Sequence, residues 1–116
     1  MMKMNVIELS KYVITKCHKD GCPISNRELQ FLLWRIQEEY KKEGKLAFVD
    51  NIDMTDYGPI VANAYYAFGG WGVMKIGIDY DCEIDSSDQS KIDYIVEDFR
   101  QKELWEIYCM YQEAKK

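Results

Sequence analysis

The sequence is poor in the residues that most chemistry needs. It has one histidine, His18, and no base or acid in a recognisable spacing with it. Only two prolines are present, so no proline-rich linker divides the chain. Basic residues are the minority: 15 Lys and Arg against 20 Asp and Glu, a net charge of −5. Nucleic-acid binding, which needs a basic surface to neutralise phosphates, is therefore disfavoured. No apolar run approaches the roughly 20 residues of a membrane helix. The segment from Met1 to Asn5 has no signal-peptide core, and a cytoplasmic protein is expected.

The four cysteines, Cys17, Cys22, Cys82 and Cys109, are expected to be reduced in that compartment. Cys17-His18 with Cys22 hints at zinc, but no second paired cluster completes a site. Neither a metal nor a cofactor is expected. Gly69-Gly70-Trp71-Gly72 matches neither a Walker loop nor a dinucleotide loop; it reads as a helix stop.

What is present suits one compact domain over residues 1–116, with 47% apolar and 14% aromatic residues to build a core. Asn5, with Glu8 three residues on, predicts the start of a first helix whose stripe is Val6, Leu9, Val13 and Cys17. Asp20 to Pro23 reads as a turn. Ser25 and Glu28 form a capping box, flanked by Ile24 and Leu29 in staple positions. The central helix that follows runs to about Glu43, with Leu29, Leu32, Leu33, Ile36 and Tyr40 inward and Phe31 and Trp34 widening the face. Short strands are predicted over Leu46–Met54 and Val73–Tyr80. Asp79, Asp81, Glu83 and Asp85 alternate along an extended, exposed segment. Ser86 and Gln89 predict a fourth helix through Phe99. A last helical segment carries Leu104, Trp105, Tyr108 and Tyr111, either continuous with the fourth or separated near Lys102. The expected fold is mainly α with a small β element (α+β): four to five helices and a short two-stranded segment.

The densest stretch is Tyr57 to Gly72, with four of the seven glycines and three of the nine tyrosines. Gly58-Pro59 predicts a tight corner, with the proline at the first position of a short helix. Val61, Ala64, Tyr65 and Phe68 recur at helical spacing and read as architectural, together with Gly58, Pro59 and Gly72. Tyr57, Asn63, Tyr66 and Trp71 are left over and read as partner-binding residues, because exposed aromatics are enriched at interfaces.

This stretch resembles the signature of the Panacea domain, the SocA-like antitoxin family found in phage and mobile-element neighbourhoods. The likeness rests on Ile52 before the corner, Gly58-Pro59-Ile60-Val61 at it, Tyr65 and Phe68 in the helix, and Trp71-Gly72 beyond. Weaker likeness extends over Leu29–Trp34, Val6–Ile14 and Asp93–Phe99. Phe31 stands where the family often has lysine, Met54 where it often has alanine, and the family's C-terminal Thr-His pair is missing. The resemblance implies a noncatalytic protein that neutralises a cognate toxin by direct binding, with delivery of that toxin to a protease as a further role. It does not carry over the toxin's identity. Two alternatives from other classes stand beside it. One is an enzyme with a dispersed acidic site drawn from Asp50, Asp53, Asp56 and His18; the other is a structural domain that forms a homodimer or larger oligomer.

Overall fold

In a computed structural model, which describes residues 3–116, five α-helices pack together with one small hairpin at their surface. Met1 and Met2, part of the N-terminal segment considered above, lie outside the described residues. Helix α1 (Val6–Lys19) begins where the Asn5 side chain accepts from the amides of Ile7 and Glu8. The expected return bond from Glu8 is absent. Its carboxylate instead accepts from the Glu83 amide and pairs with Lys11. Helix α2 (Asn26–Lys42) starts with the predicted Ser25–Glu28 capping box, and Ile24 and Leu29 are both buried in the main core. It ends at Gly44, in the left-handed region at φ 73°.

Helix α2 is apolar around most of its circumference because two cores meet on it. Leu29, Leu32, Leu33 and Ile36 join α1 and the later helices in the larger cluster. Phe31 and Trp34 face the other way, against Ile107 and Tyr111 of the last helix. Two glutamines seven residues apart, Gln30 and Gln37, are also buried on α2. Gln37 Nε2 donates to the Phe48 carbonyl at 2.8 Å, and its Oε1 accepts from the Ala47 amide at 2.7 Å. One amide side chain thus supplies the backbone partners that a neighbouring strand would have supplied.

The predicted β element exists, but it shares only Asp53 and Met54 with the first predicted strand and nothing with the second. Strands β1 (Asp53–Thr55) and β2 (Gly58–Ile60) pair antiparallel, with Met54 opposite Pro59. Leu46–Met54 and Val73–Tyr80 do not pair with each other. The first is clamped by Gln37. The second hydrogen-bonds piecemeal: the Ile76 amide to the Ile24 carbonyl at 2.7 Å, and the Tyr80 amide to Thr15 Oγ1 at 2.8 Å. From Asp79 to Asp85 the chain is extended; the four acidic side chains are exposed while Tyr80, Cys82 and Ile84 are half-buried.

Pro59 is consequently in β2, not at a helix start. Helix α3 (Ala62–Ala67) begins three residues later, and a 3₁₀ turn (Gly69–Trp71) follows. Helix α4 (Ser86–Arg100) begins without the Ser86–Gln89 box, since Gln89 Nε2 donates to the Ile84 carbonyl instead. Helix α5 (Leu104–Lys115) is separate from it. The architecture is α+β and mainly helical. Among the described residues no helix is long and apolar enough to cross a membrane.

Candidate functional site: an aromatic groove on the Gly-Pro hairpin

The site is built on a hairpin whose loop has two residues, Asp56 and Tyr57. Neither has a positive φ, although two-residue hairpin loops usually need one to match strand twist. Gly58, immediately after the loop, takes φ 138°. Its missing side chain also makes room for Phe31: a Cβ there would stand 3.1 Å from the Phe31 ring. The loop is held from three sides. Thr55 Oγ1 donates to the Gly58 carbonyl at 2.6 Å, and the Arg27 guanidinium donates to the Tyr57 carbonyl at 2.9 Å. From α5, Tyr111 Oη donates to the Thr55 carbonyl, Tyr108 Oη to the Asp56 carbonyl, and Lys115 pairs with the Asp56 carboxylate at 2.6 Å. That cation holds the Asp56 carboxyl below the usual carboxylate range.

Beyond β2 a buried polar relay takes over. The Val61 amide donates to Gln30 Oε1 at 2.8 Å. Gln30 Nε2 donates to Asn26 Oδ1 at 3.1 Å, and Asn26 Nδ2 donates to the Tyr65 carbonyl at 3.0 Å. All three amide contacts are made by side chains of the first two turns of α2. They fix the hairpin exit and the whole of α3 against that helix, and they leave no member of the relay unsatisfied.

Between these anchors lies a groove of about 660 Å³. Phe31 and Pro59 form its apolar wall, Asn26 and Gln30 its polar one, and Tyr57, Tyr65, Tyr66 and Val73 its rim. Tyr57 is 81% exposed, Tyr66 78% and Val73 95%. The rings of Tyr65 and Tyr66 meet edge to face, 5.7 Å between centroids. No carboxylate lines the groove, and Arg27 is its one cation.

The expected site residues divide. Tyr57 and Tyr66 line this groove together. Asn63 is exposed on the adjoining side of α3, where it donates to Asp50 at 2.7 Å in a shallower depression that also includes Tyr66. Trp71 is half-buried and packs against the main core. Gly58, Pro59, Val61 and Phe68 are buried as architectural residues should be, and Gly72 turns the chain at φ 58°. Tyr65 requires a correction: its side chain is 39% exposed and belongs to the rim. Only its carbonyl is structural. Val61, Ala64 and Phe68 already fill the inward face of a six-residue helix, and Tyr65 falls to one side.

The four residues of the acidic alternative do not all come together. Asp50 and Asp53 line the depression beside Asn63, which binds Asp50, but Asp56 is paired with Lys115 and His18 Nδ1 lies 2.8 Å from Asp79. Among the described residues no group of three or more His, Cys, Asp or Glu side chains is placed to hold a metal ion. Sequence reasoning overlooked Asn26, Gln30 and Gln37. Their signal was available: polar residues at helical spacing inside an otherwise apolar stripe must find buried partners.

No family model, curated protein or solved structure matches the chain.

Proposed function

We propose that this protein is a noncatalytic binding module that neutralises a cognate toxin protein by direct contact through the Tyr57–Tyr66 groove. The observation that carries the reading is the rim itself. Tyr57 and Tyr66 stand almost wholly exposed on a backbone held by the Gln30 relay and the α5 tyrosines. Rigid, solvated tyrosines offer large contact area at low entropic cost, which is the character of interface anchors. The choice of a toxin as partner rests on the resemblance of Tyr57–Gly72 to Panacea antitoxins, as does delivery of the bound toxin to a protease. The net charge of −5 suits a basic partner.

Co-expression with the open reading frame adjacent to its gene tests the proposal. The neighbour should arrest growth alone and be tolerated with this protein. Tyr57→Ala with Tyr66→Ala should restore the arrest while the variant remains folded. A harmless neighbour, or toxicity undiminished by the wild-type chain, overturns the antitoxin reading. Protection that survives the double variant overturns the groove as its site.

A further inference from the structure

A second constellation lies away from the groove, where α1 ends. Its last turn closes through Gly21, at φ 77°. The Gly21 amide donates to the His18 carbonyl at 3.0 Å and the Cys22 amide to the Cys17 carbonyl at 2.9 Å, the paired bonds of a Schellman turn. Such a turn brings its first and last residues side by side. With standard bond lengths, the 2.9 Å contact limits the Cys17–Cys22 Cα separation to roughly 6.8 Å. Disulfides span Cα separations of roughly 4.4–6.8 Å. Both side chains line one cavity of about 260 Å³ between the ends of α1 and α4. Cys17 is buried and Cys22 is exposed.

Arg100, from the last turn of α4, lines the same cavity. Its Nη1 holds Asp20 at 3.0 Å, but its buried Nε and Nη2 have no hydrogen-bond partner. Unpaired buried donors of a cation are uncommon and unfavourable. Burial holds the Cys17 thiol above its ordinary value overall, although the adjacent Arg100 guanidinium opposes that rise. The cation is therefore placed to stabilise negative charge on the Cys17 sulfur.

We propose that Cys17 and Cys22 form a reversible thiol–disulfide pair oxidised by hydroperoxides, with Cys22 reacting first and Cys17 resolving. The exposed Cys22 thiolate attacks the terminal oxygen of ROOH. An S–O bond forms, the O–O bond breaks, and the departing alkoxide takes up the proton released by Cys22 to leave as ROH. Cys22 is then a sulfenic acid. Cys17, giving up its proton beside the Arg100 guanidinium, attacks the Cys22 sulfur. An S–S bond forms and the S–O bond breaks; the hydroxide combines with the proton lost from Cys17 as water. Two thiols and ROOH thus give a disulfide, ROH and water. Exchange with a reduced dithiol returns the pair to its starting state. The toxin-binding proposal is independent of this chemistry.

The test uses the full chain, treated with hydrogen peroxide, alkylated with N-ethylmaleimide and digested with trypsin. Cleavage after Lys19 separates the cysteines, so their bond joins the peptides 17–19 and 20–27. That linked pair should be the main oxidation product and should vanish on reduction. In Cys17→Ser the Cys22 sulfenic acid should accumulate and be captured by dimedone. In Arg100→Met, confirmed folded by circular dichroism, the disulfide should appear about tenfold more slowly, with first oxidation of Cys22 unchanged. The pair is overturned if wild-type Cys22 proceeds to sulfinic acid without the linked peptides, as an isolated exposed thiol such as Cys109 would. An Arg100→Met rate equal to wild type overturns the role given to the guanidinium.

Discussion

Two neighbouring parts of the hairpin stretch have opposite fates. From Gly58 to Val61 the chain is almost wholly enclosed, and its polar groups are bound by Thr55 and Gln30. From Tyr65 to Val73 most side chains are in solvent, and the segment is secured chiefly by the Tyr65 carbonyl, Phe68 and Trp71. Hydrophobicity does not distinguish them, since both are rich in apolar residues and the exposed part holds all the aromatics. The difference is what α2 and α5 place opposite each. The enclosed part faces Phe31 and Gln30, with Tyr111 holding Thr55 just before it; the exposed part faces the open groove. The aromatics there stay exposed because no helix among the described residues covers them.

The sharpest way to break the contrast is to remove its support from α5. Tyr111 is fully buried, stands edge-on to both Phe31 and Trp34, and donates to the Thr55 carbonyl. Tyr111→Ala should lower unfolding free energy by about 4 kcal/mol, measured by urea titration. Gly58→Val should cost about 3 kcal/mol, from a strained φ and a branched side chain against Phe31; an unchanged denaturation midpoint would refute the account of this corner. Gln30→Leu leaves the Val61 amide and the Asn26 side chain short of a partner, for a loss of about 2 kcal/mol. Hydrogen exchange should then speed up at Val61 ahead of the α2 amides.

Across the divide the expected balance reverses. Tyr66→Ala should change stability by less than about 0.5 kcal/mol yet weaken partner binding by about 2 kcal/mol, read by calorimetry. A stability loss as large as that of Gln30→Leu would place Tyr66 with the enclosed part. The smallest effect is on pH. Lys115 lowers the Asp56 carboxyl; burial raises Glu28, but Lys75 and Ser25 hold it below its ordinary value overall. A carboxyl lowered on folding contributes its stability in full above the ordinary range near roughly 4. That contribution is lost as pH falls through the lower folded value. The midpoint should therefore be flat from neutral pH to about 5 and decline below about 4. Lys115→Met should flatten the acid limb slightly, and an unchanged limb would exclude the Asp56 pair as a contributor.

Much of the frame was legible from local chemistry. Ser25 and Glu28 mark the start of α2 because a capping box needs only residues three apart. Val6, Leu9, Val13 and Cys17 mark the buried face of α1 because helical period alone aligns them. The strands were misplaced for a non-local reason. Leu46–Phe48 has strand-like residues, but its backbone partners are the Gln37 side chain, eleven or fewer residues upstream in sequence and on another element. Gly58-Pro59 looks like a helix entrance until the Thr55 hydroxyl and the Gln30 amide claim the groups around it. The site was half legible: Tyr66 was separable from the core by phase and Tyr57 was left over before the corner, whereas Tyr65 and Val73 were assigned to a stripe and a strand.

The sequence by itself determined four to five helical segments, a central α2 and a special Gly-Pro corner, because capping, periodicity and glycine's backbone freedom act over a few residues. Tertiary structure decided the rest: that the corner is a hairpin, that buried amides of α2 substitute for a wider sheet, and that Tyr57, Tyr65 and Tyr66 share one rim. Those outcomes depend on which groups meet after the helices pack, since a buried backbone amide takes whichever partner the packing brings within reach.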